Sequence, residues 1–186
     1  MSQNLRTYTK TLYAMDAVVR RVPADAWDNP SPCDDWTARE ALGHTIWGLK
    51  RMTAGINGDD PPAEQAEADV AGDDPVGSWT AAMDAMLAAL DHKDVLAAIT
   101  PTPFGEMPVD QALGSLFIDP LTHTFDVAKA TGVDHALPTE LAEQALAVMT
   151  PLSDILRSPG LFGEVIDLRN DASVVDTFIA FTGRQP

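Results

Sequence analysis

The stretch VDQALGSLFIDPLTHTFDVAKATG, residues 109–132, decides how this chain is read. It predicts a helix from about Val109 to Thr131 that stops at Gly132, a residue type suited to the left-handed position after a helix end. Pro120 interrupts it. A proline inside a helix removes one hydrogen bond and pushes the preceding residue, Asp119, away from helical angles. Either the helix bends there, or Asp119 caps a fresh helix starting at Pro120. Asp119 and His123 are spaced i, i+4, so on a continuous helix both side chains share one face and can close on one ion. A third donor from another helix would leave a metal with an open coordination position, as catalytic sites have and closed structural sites lack.

The candidate third donor is His44. Thr37-Ala38-Arg39-Glu40 matches a capping box, which predicts a second helix running to about Gly55. Leu42, Ile46 and Leu49 form its apolar stripe. His44 lies about 200° around the wheel from Leu42, on the side of Ala41, Trp47 and Gly48, where small residues would let another helix approach. Upstream, Leu5, Tyr8, Leu12, Met15, Val19 and Val22 recur at steps of three and four, an amphipathic helix ended by Pro23. Between the two, residues 24–36 (ADAWDNPSPCDDW) read as a connection.

Downstream, residues 57–75 are acidic and proline-containing and read as a long exposed crossover, which in a bundle permits non-sequential helix neighbours. A third helix is expected over Val76 to Leu90. Residues 99–109 (ITPTPFGEMPV) are extended by composition, and their FGEMPV is echoed by FGEVIDL at 162–168, which suggests two short strands pairing there. A further helix is expected from Thr139 to Leu156 with a bend at Pro151, and a short last one carries Val174, Val175, Phe178, Ile179 and Phe181. The fold class is therefore all-α, a helical bundle with additional short helices and a small two-stranded element, in one domain over 1–186.

Bulk properties narrow the partners. The chain is 45% apolar and 22% charged, with a formal net charge of -16, the composition of a soluble globular protein. Such acidity repels phosphate backbones and anionic lipid surfaces, so neither nucleic acid nor a membrane is an expected partner. The N-terminus MSQNLRTYTK has no apolar signal core. With one cysteine, Cys33, no intramolecular disulfide forms, which suits a reducing compartment. A cytoplasmic location is the expectation.

Each candidate ligand has a plainer alternative. His44 could be a core histidine bonded to a carbonyl or hydroxyl. Asp119 could be a helix cap. His123 could be a half-buried imidazole held by Thr122, Thr124 or Asp126. Of the other polar groups, His92 reads as a solvated helix-end residue and His135 as an exposed loop residue. Cys33 reads as a structural thiol, since Asp34 and Asp35 would oppose the thiolate.

Three segments taken together carry a resemblance: PSPCDDWTAREALGH (30–44), DPLTHTFDVAKATG (119–132) and FIAFTGRQP (178–186). The chain resembles the DinB-like metal-binding family, in the branch related to the N-terminal metal-binding domain of mycothiol-dependent maleylpyruvate isomerase. The resemblance implies a four-helix-bundle core holding a divalent metal, usually zinc, with Ni2+ as another candidate. His44 matches the histidine of the family's second helix and His123 that of the later motif. Asp119 falls where the isomerase has glutamate, which keeps the donor type and shortens the reach by one methylene. Isomerase-type proteins carry an additional C-terminal domain for substrate binding, so maleylpyruvate isomerisation itself is not the expected reaction.

What the resemblance implies chemically is a site that binds and deprotonates a small thiol such as mycothiol, because a metal favours thiolate. The thiolate would attack a small electrophile. Activation of bound water is the alternative. Asp126, close beyond His123, would orient that ring, and Trp47 would flank the cofactor or simply pack. The expected partners are a small-molecule thiol and an electrophilic substrate, with pairing into a homodimer left open. Three readings stand: a thiol-dependent transferase or isomerase, a non-catalytic metal-binding or stress-associated module, and a bundle whose site holds no metal.

Overall fold

The computed structural model describes residues 1–33, 35–157 and 162–186. The chain is mostly helical, with one small antiparallel hairpin. Helix α1 spans Gln3–Val19, opened by Ser2, whose side chain accepts from the Leu5 N–H. Helix α2 spans Ala38–Asn57, and the predicted capping box forms in both directions between Thr37 and Glu40. Such a cap is worth about 1 kcal/mol. It holds the start of α2 only six residues before His44 and so fixes where that histidine sits.

Helix α2 runs past Gly55 and is capped by Gly58 in the left-handed region (φ 76°). Gly55 is not a stop signal. A Cβ there would lie 2.7 Å from Thr100 Oγ1, so its lack of a side chain makes room for the hairpin.

The acidic stretch 57–75 is not wholly an exposed crossover. Within it α3, Glu67–Ala71, packs against α2 with Val70 and Ala71 buried. The contact is at Gly43, where a Cβ would stand 1.8 Å from the Glu67 carbonyl oxygen. Only glycine admits a backbone this close. Gly48, expected to allow such an approach, faces open space instead. Helix α4, Pro75–Leu90, starts at an Asp74 cap that accepts from the Gly77 N–H, with proline at the first helical position. That proline loses nothing there, because its missing N–H would have no helical partner.

Strands β1 (Ile99–Thr102) and β2 (Gly105–Pro108) pair with each other in antiparallel register. The expected partner, 162–168, forms no strand among the described residues, although the Ile166 N–H bonds the Ala180 carbonyl at 3.1 Å. A turn closing two adjacent strands costs far less chain entropy than a pairing across the whole fold.

Helices α5 (Val109–Leu116) and α6 (Ile118–Thr131) divide the stretch for which one helix is expected. The break falls at Phe117, because Pro120 has no N–H to offer the Leu116 carbonyl. The Leu121 N–H bonds the Phe117 carbonyl at 3.2 Å and starts the second helix. Asp119 makes no capping bond. It stands in the first turn of α6, where a negative charge suits the helix dipole. Gly132 caps the far end in the left-handed region, as expected.

Helix α7 covers Thr139–Met149. A 3-10 turn at Thr150–Leu152 takes up Pro151, and α8 continues over Ser153–Arg157. Helix α9 is Val174–Phe181.

Helices α1, α2, α4 and α6 form the bundle. Helix α1 packs on α4 and α6, and α2 packs on the same two, so α1 and α2 occupy opposite corners. Leu12, Met15, Leu42, Ile46, Trp79, Met86 and Leu121 are buried between them. A fully buried side chain of this kind contributes about 1.5–3 kcal/mol. The Trp79 indole N–H keeps a partner, Asp16 Oδ1 at 3.2 Å, and ties α4 to α1. Among the described residues no helix is long and apolar enough to cross a membrane.

Candidate metal centre

Where α2 packs on α6, three side chains meet. Asp119 Oδ1 lies 3.3 Å from His44 Nε2 and 3.6 Å from His123 Nε2. The imidazole centroids are 5.2 Å apart in an edge arrangement, and one ligand atom from each residue falls within 4.8 Å of the other two. Two donors each about 2.1 Å from a tetrahedral zinc stand about 3.4 Å apart. The two histidine–aspartate separations match that edge, so the donor set and its spacing fit a divalent cation.

The site is sheltered on one side and open on the other. His123 keeps only 7% of its side chain exposed, whereas His44 keeps 34% and Asp119 42%. An ion held there would keep a solvent-facing position.

Electrostatics tie the groups together. Burial acts to lower the His44 pKa, but the hydrogen bond and charge of Asp119, with the charge of Glu67, outweigh it and raise it. Burial acts to raise the Asp119 carboxyl, and His44 and His123, with more distant Arg184, hold it below the ordinary range. The first residue of α3 therefore reaches the site through its field, which the sequence reading of 57–75 did not foresee. Tyr8 on α1 is buried beside Asp119, and burial together with that charge keeps its phenol protonated well beyond the usual range.

His123 has its second nitrogen committed. Nδ1 lies 2.9 Å from Asp126 Oδ2. Of the three candidate partners it is Asp126 that holds the ring, and the Thr122 and Thr124 hydroxyls donate back to the carbonyls of Ile118 and Pro120. Asp126 is fully buried and itself meets Arg184, whose Nε and Nη2 donate to Oδ1 and Oδ2 at 3.1 and 3.0 Å. Burial acts to raise the Asp126 carboxyl, and these partners bring it below the ordinary range. The buried carboxylate is thus doubly paired, without which its burial would be prohibitive.

Two residues of the site went unrecognised in sequence. Trp36 packs at a tilt against both imidazoles, with centroids 4.9 Å from His44 and 5.6 Å from His123. It is held by the Ser31 N–H, which bonds the Trp36 carbonyl at 2.8 Å, and by the bridge from Pro30 to Thr37. Trp47, read as flanking the cofactor or simply packing, lies under Arg51, whose guanidinium carbon is 4.6 Å from its ring centre, and makes no ring contact with either imidazole among the described residues. Arg184 is the second. Its motif TGR was visible, but only long-range packing brings it to Asp126.

The remaining candidates fall elsewhere. His92 is exposed, as expected. His135 is half-buried rather than exposed, with Nδ1 accepting from the Leu137 N–H and its ring against Phe125. Cys33 lies near the site: its sulfur and ligand atoms of His123 and Asp126 fall within 4.8 Å of one another. This second grouping is a poorer cation site, because Asp126 already carries the Arg184 cation, which would repel a second positive charge there. The surroundings of Cys33 also include the Arg184 cation, not only the acids adjacent in sequence. Two surface clefts of about 300 and 520 Å3, lined in part by the C-terminal end of α2, contain none of the three candidate ligands.

A helical bundle with a His-Asp-His cluster spaced for a divalent cation defines the class. The family model of the DinB superfamily matches residues 7–118, and the chain belongs to that superfamily. The match takes in His44 and stops one residue before Asp119. The chain is also similar to two Mycobacterium tuberculosis proteins, uncharacterized protein Rv0738 and uncharacterized protein MT0763, each 28% identical over 97% of both chains. A shorter likeness, 42% identity over 33 residues, links it to uncharacterized protein Rv0036c of the same species, covering 18% of this chain and 13% of that one. No solved structure matches the chain.

Proposed function

We propose that the protein binds one zinc or similar divalent ion through His44, Asp119 and His123, and uses it to activate a small thiol cofactor against small electrophiles. The carrying observation is the placement of Asp119 Oδ1 at 3.3 and 3.6 Å from the two Nε2 atoms, with the His44 and Asp119 side open to solvent. The reading places the chain with the mycothiol-dependent maleylpyruvate isomerase-like branch, as a transferase or isomerase. The sequence segments 30–44, 119–132 and 178–186 support that placement.

Two neutral imidazoles and one carboxylate leave a divalent cation with net positive charge. Bound there, it would supply the field that favours thiolate over thiol. The chain's own residues do the rest. Asp126 accepts from His123 Nδ1 and leaves Nε2 facing the site. Asp119 bridges the two histidines. Trp36 walls one side of both imidazoles, which limits water there and offers an apolar surface to an incoming molecule.

Two measurements on protein purified without a histidine tag test this. Zinc content near one per chain is expected, and content well below one that added zinc does not raise would reject metal binding. A metal-dependent rate of adduct formation between mycothiol and a model electrophile, lost in His44→Ala, is expected of the enzyme. Bound zinc without any such rate would leave a non-catalytic metal-binding module.

A further inference from the structure

The chain's C-terminal tail reaches back to the site. Helix α9 ends at Phe181, and Thr182 and Arg184 beyond it are buried. Gly183 makes the turn. Its φ is +83°, and a Cβ there would stand 2.7 Å from the Gly163 Cα, so the position excludes a side chain on two counts. The Arg184 N–H bonds the Ile179 carbonyl at 3.3 Å, and Arg184 Nη1 donates to the Thr182 carbonyl at 3.0 Å. The guanidinium is thereby aimed inward at Asp126, 58 residues earlier in the chain.

There it binds with both arms, Nε to Oδ1 and Nη2 to Oδ2. A bidentate fork fixes the plane of a carboxylate, which a single point charge does not. The fixed Oδ2 faces His123 Nδ1 at 2.9 Å. A carboxylate can only accept, so the imidazole carries a proton on Nδ1, and the neutral ring keeps its lone pair on Nε2, the nitrogen nearest Asp119.

We infer that Arg184 is a positioning residue, which acts through Asp126 to set the tautomer and rotation of the His123 ring and so the cation affinity of the His44–Asp119–His123 site. The inference rests on the metal reading above for its effect on affinity. Its structural half, the tautomer, stands apart from any metal.

The test uses the full chain with 15N-labelled histidines. Long-range 1H–15N spectra of the metal-free protein should show His123 as a single Nδ1–H tautomer, and R184M should show a mixture. Zinc affinity, read by competition with a chromophoric chelator, should fall about 10–100-fold in R184M, the usual cost of losing an outer partner of a metal ligand. R184K keeps the charge that Asp126 needs while losing the fork, and it covers the case in which R184M does not fold. It should also show mixed tautomers and weaker zinc binding. A double variant, D126N with R184M, should bind zinc no more weakly than D126N alone. Wild-type tautomer and wild-type affinity in R184K would overturn the inference, as would full additivity in the double variant. A wild type that binds no zinc defeats the metal reading instead, and the metal-free spectra still decide the role of Arg184.

Discussion

Asp119 stands with one carboxylate oxygen 3.3 Å from His44 Nε2, although the two belong to different helices and only α2–α6 packing brings them together. That oxygen is the hinge of the site, since His123 Nε2 lies 3.6 Å from it as well. Its hydrogen bond and charge also lead the forces that raise the His44 pKa against burial. Asp119→Asn should therefore lower the His44 pKa, read by NMR titration of the metal-free protein, and weaken zinc at least about tenfold through loss of the anionic ligand. An unchanged His44 titration would contradict the geometry.

His123 and Asp126 should separate by degree. His123→Ala removes a ligand and should leave no stoichiometric zinc. Asp126→Asn keeps an acceptor for Nδ1 and should retain zinc with affinity about 10–100-fold lower. Asparagine is the informative replacement. Alanine would strand the buried Arg184 cation, a change that costs about 3–5 kcal/mol of stability and would confuse unfolding with loss of ligand. Zinc content and competition titration on the two variants check the order.

Two glycines of the same helix should respond with opposite signs. At Gly43 a methyl group meets the Glu67 backbone at 1.8 Å, so Gly43→Ala must displace α3 and should cost about 1–3 kcal/mol, as overpacking does. Gly48 faces open space and is exposed. Gly48→Ala should stabilise by up to about 1 kcal/mol through helix propensity. Urea unfolding of both variants provides the comparison, and two changes of the same sign would be inconsistent with the α2–α3 contact.

Proton linkage gives the metal-free and zinc-loaded proteins different pH profiles. His44 has a raised pKa in the folded protein. Without metal, its contribution is fully present below its unfolded value near 6.5 and is lost as pH rises through the folded value. Asp126 has a lowered pKa. Its contribution is present above its unfolded value near 3.9 and is lost as pH falls through the folded value. Zinc binds deprotonated imidazoles, so its stabilisation grows as pH rises through the His44 pKa. The gap in Tm with and without zinc should thus widen from about pH 5 to pH 8. A constant gap would exclude histidine ligation.

Much of the helical framework could be read locally. The Thr37–Glu40 box, the stripe of α1, the break at Pro120 and the Gly132 cap each depend on neighbours three or four residues away, where chain geometry alone decides the outcome. The same short-range logic placed Asp119 and His123 on one face of α6, and it also marked Asp126 as the partner of His123. Trp36 against the imidazoles, Arg184 in the Asp126 carboxylate and α3 against Gly43 could not be found in this way. Each joins segments whose spacing along the chain carries no periodic signal, and each is set by which helix faces meet once the core is buried. Residue types and local spacing named the candidate ligands. Packing gave them a common point and supplied the aromatic wall and the tail arginine around it.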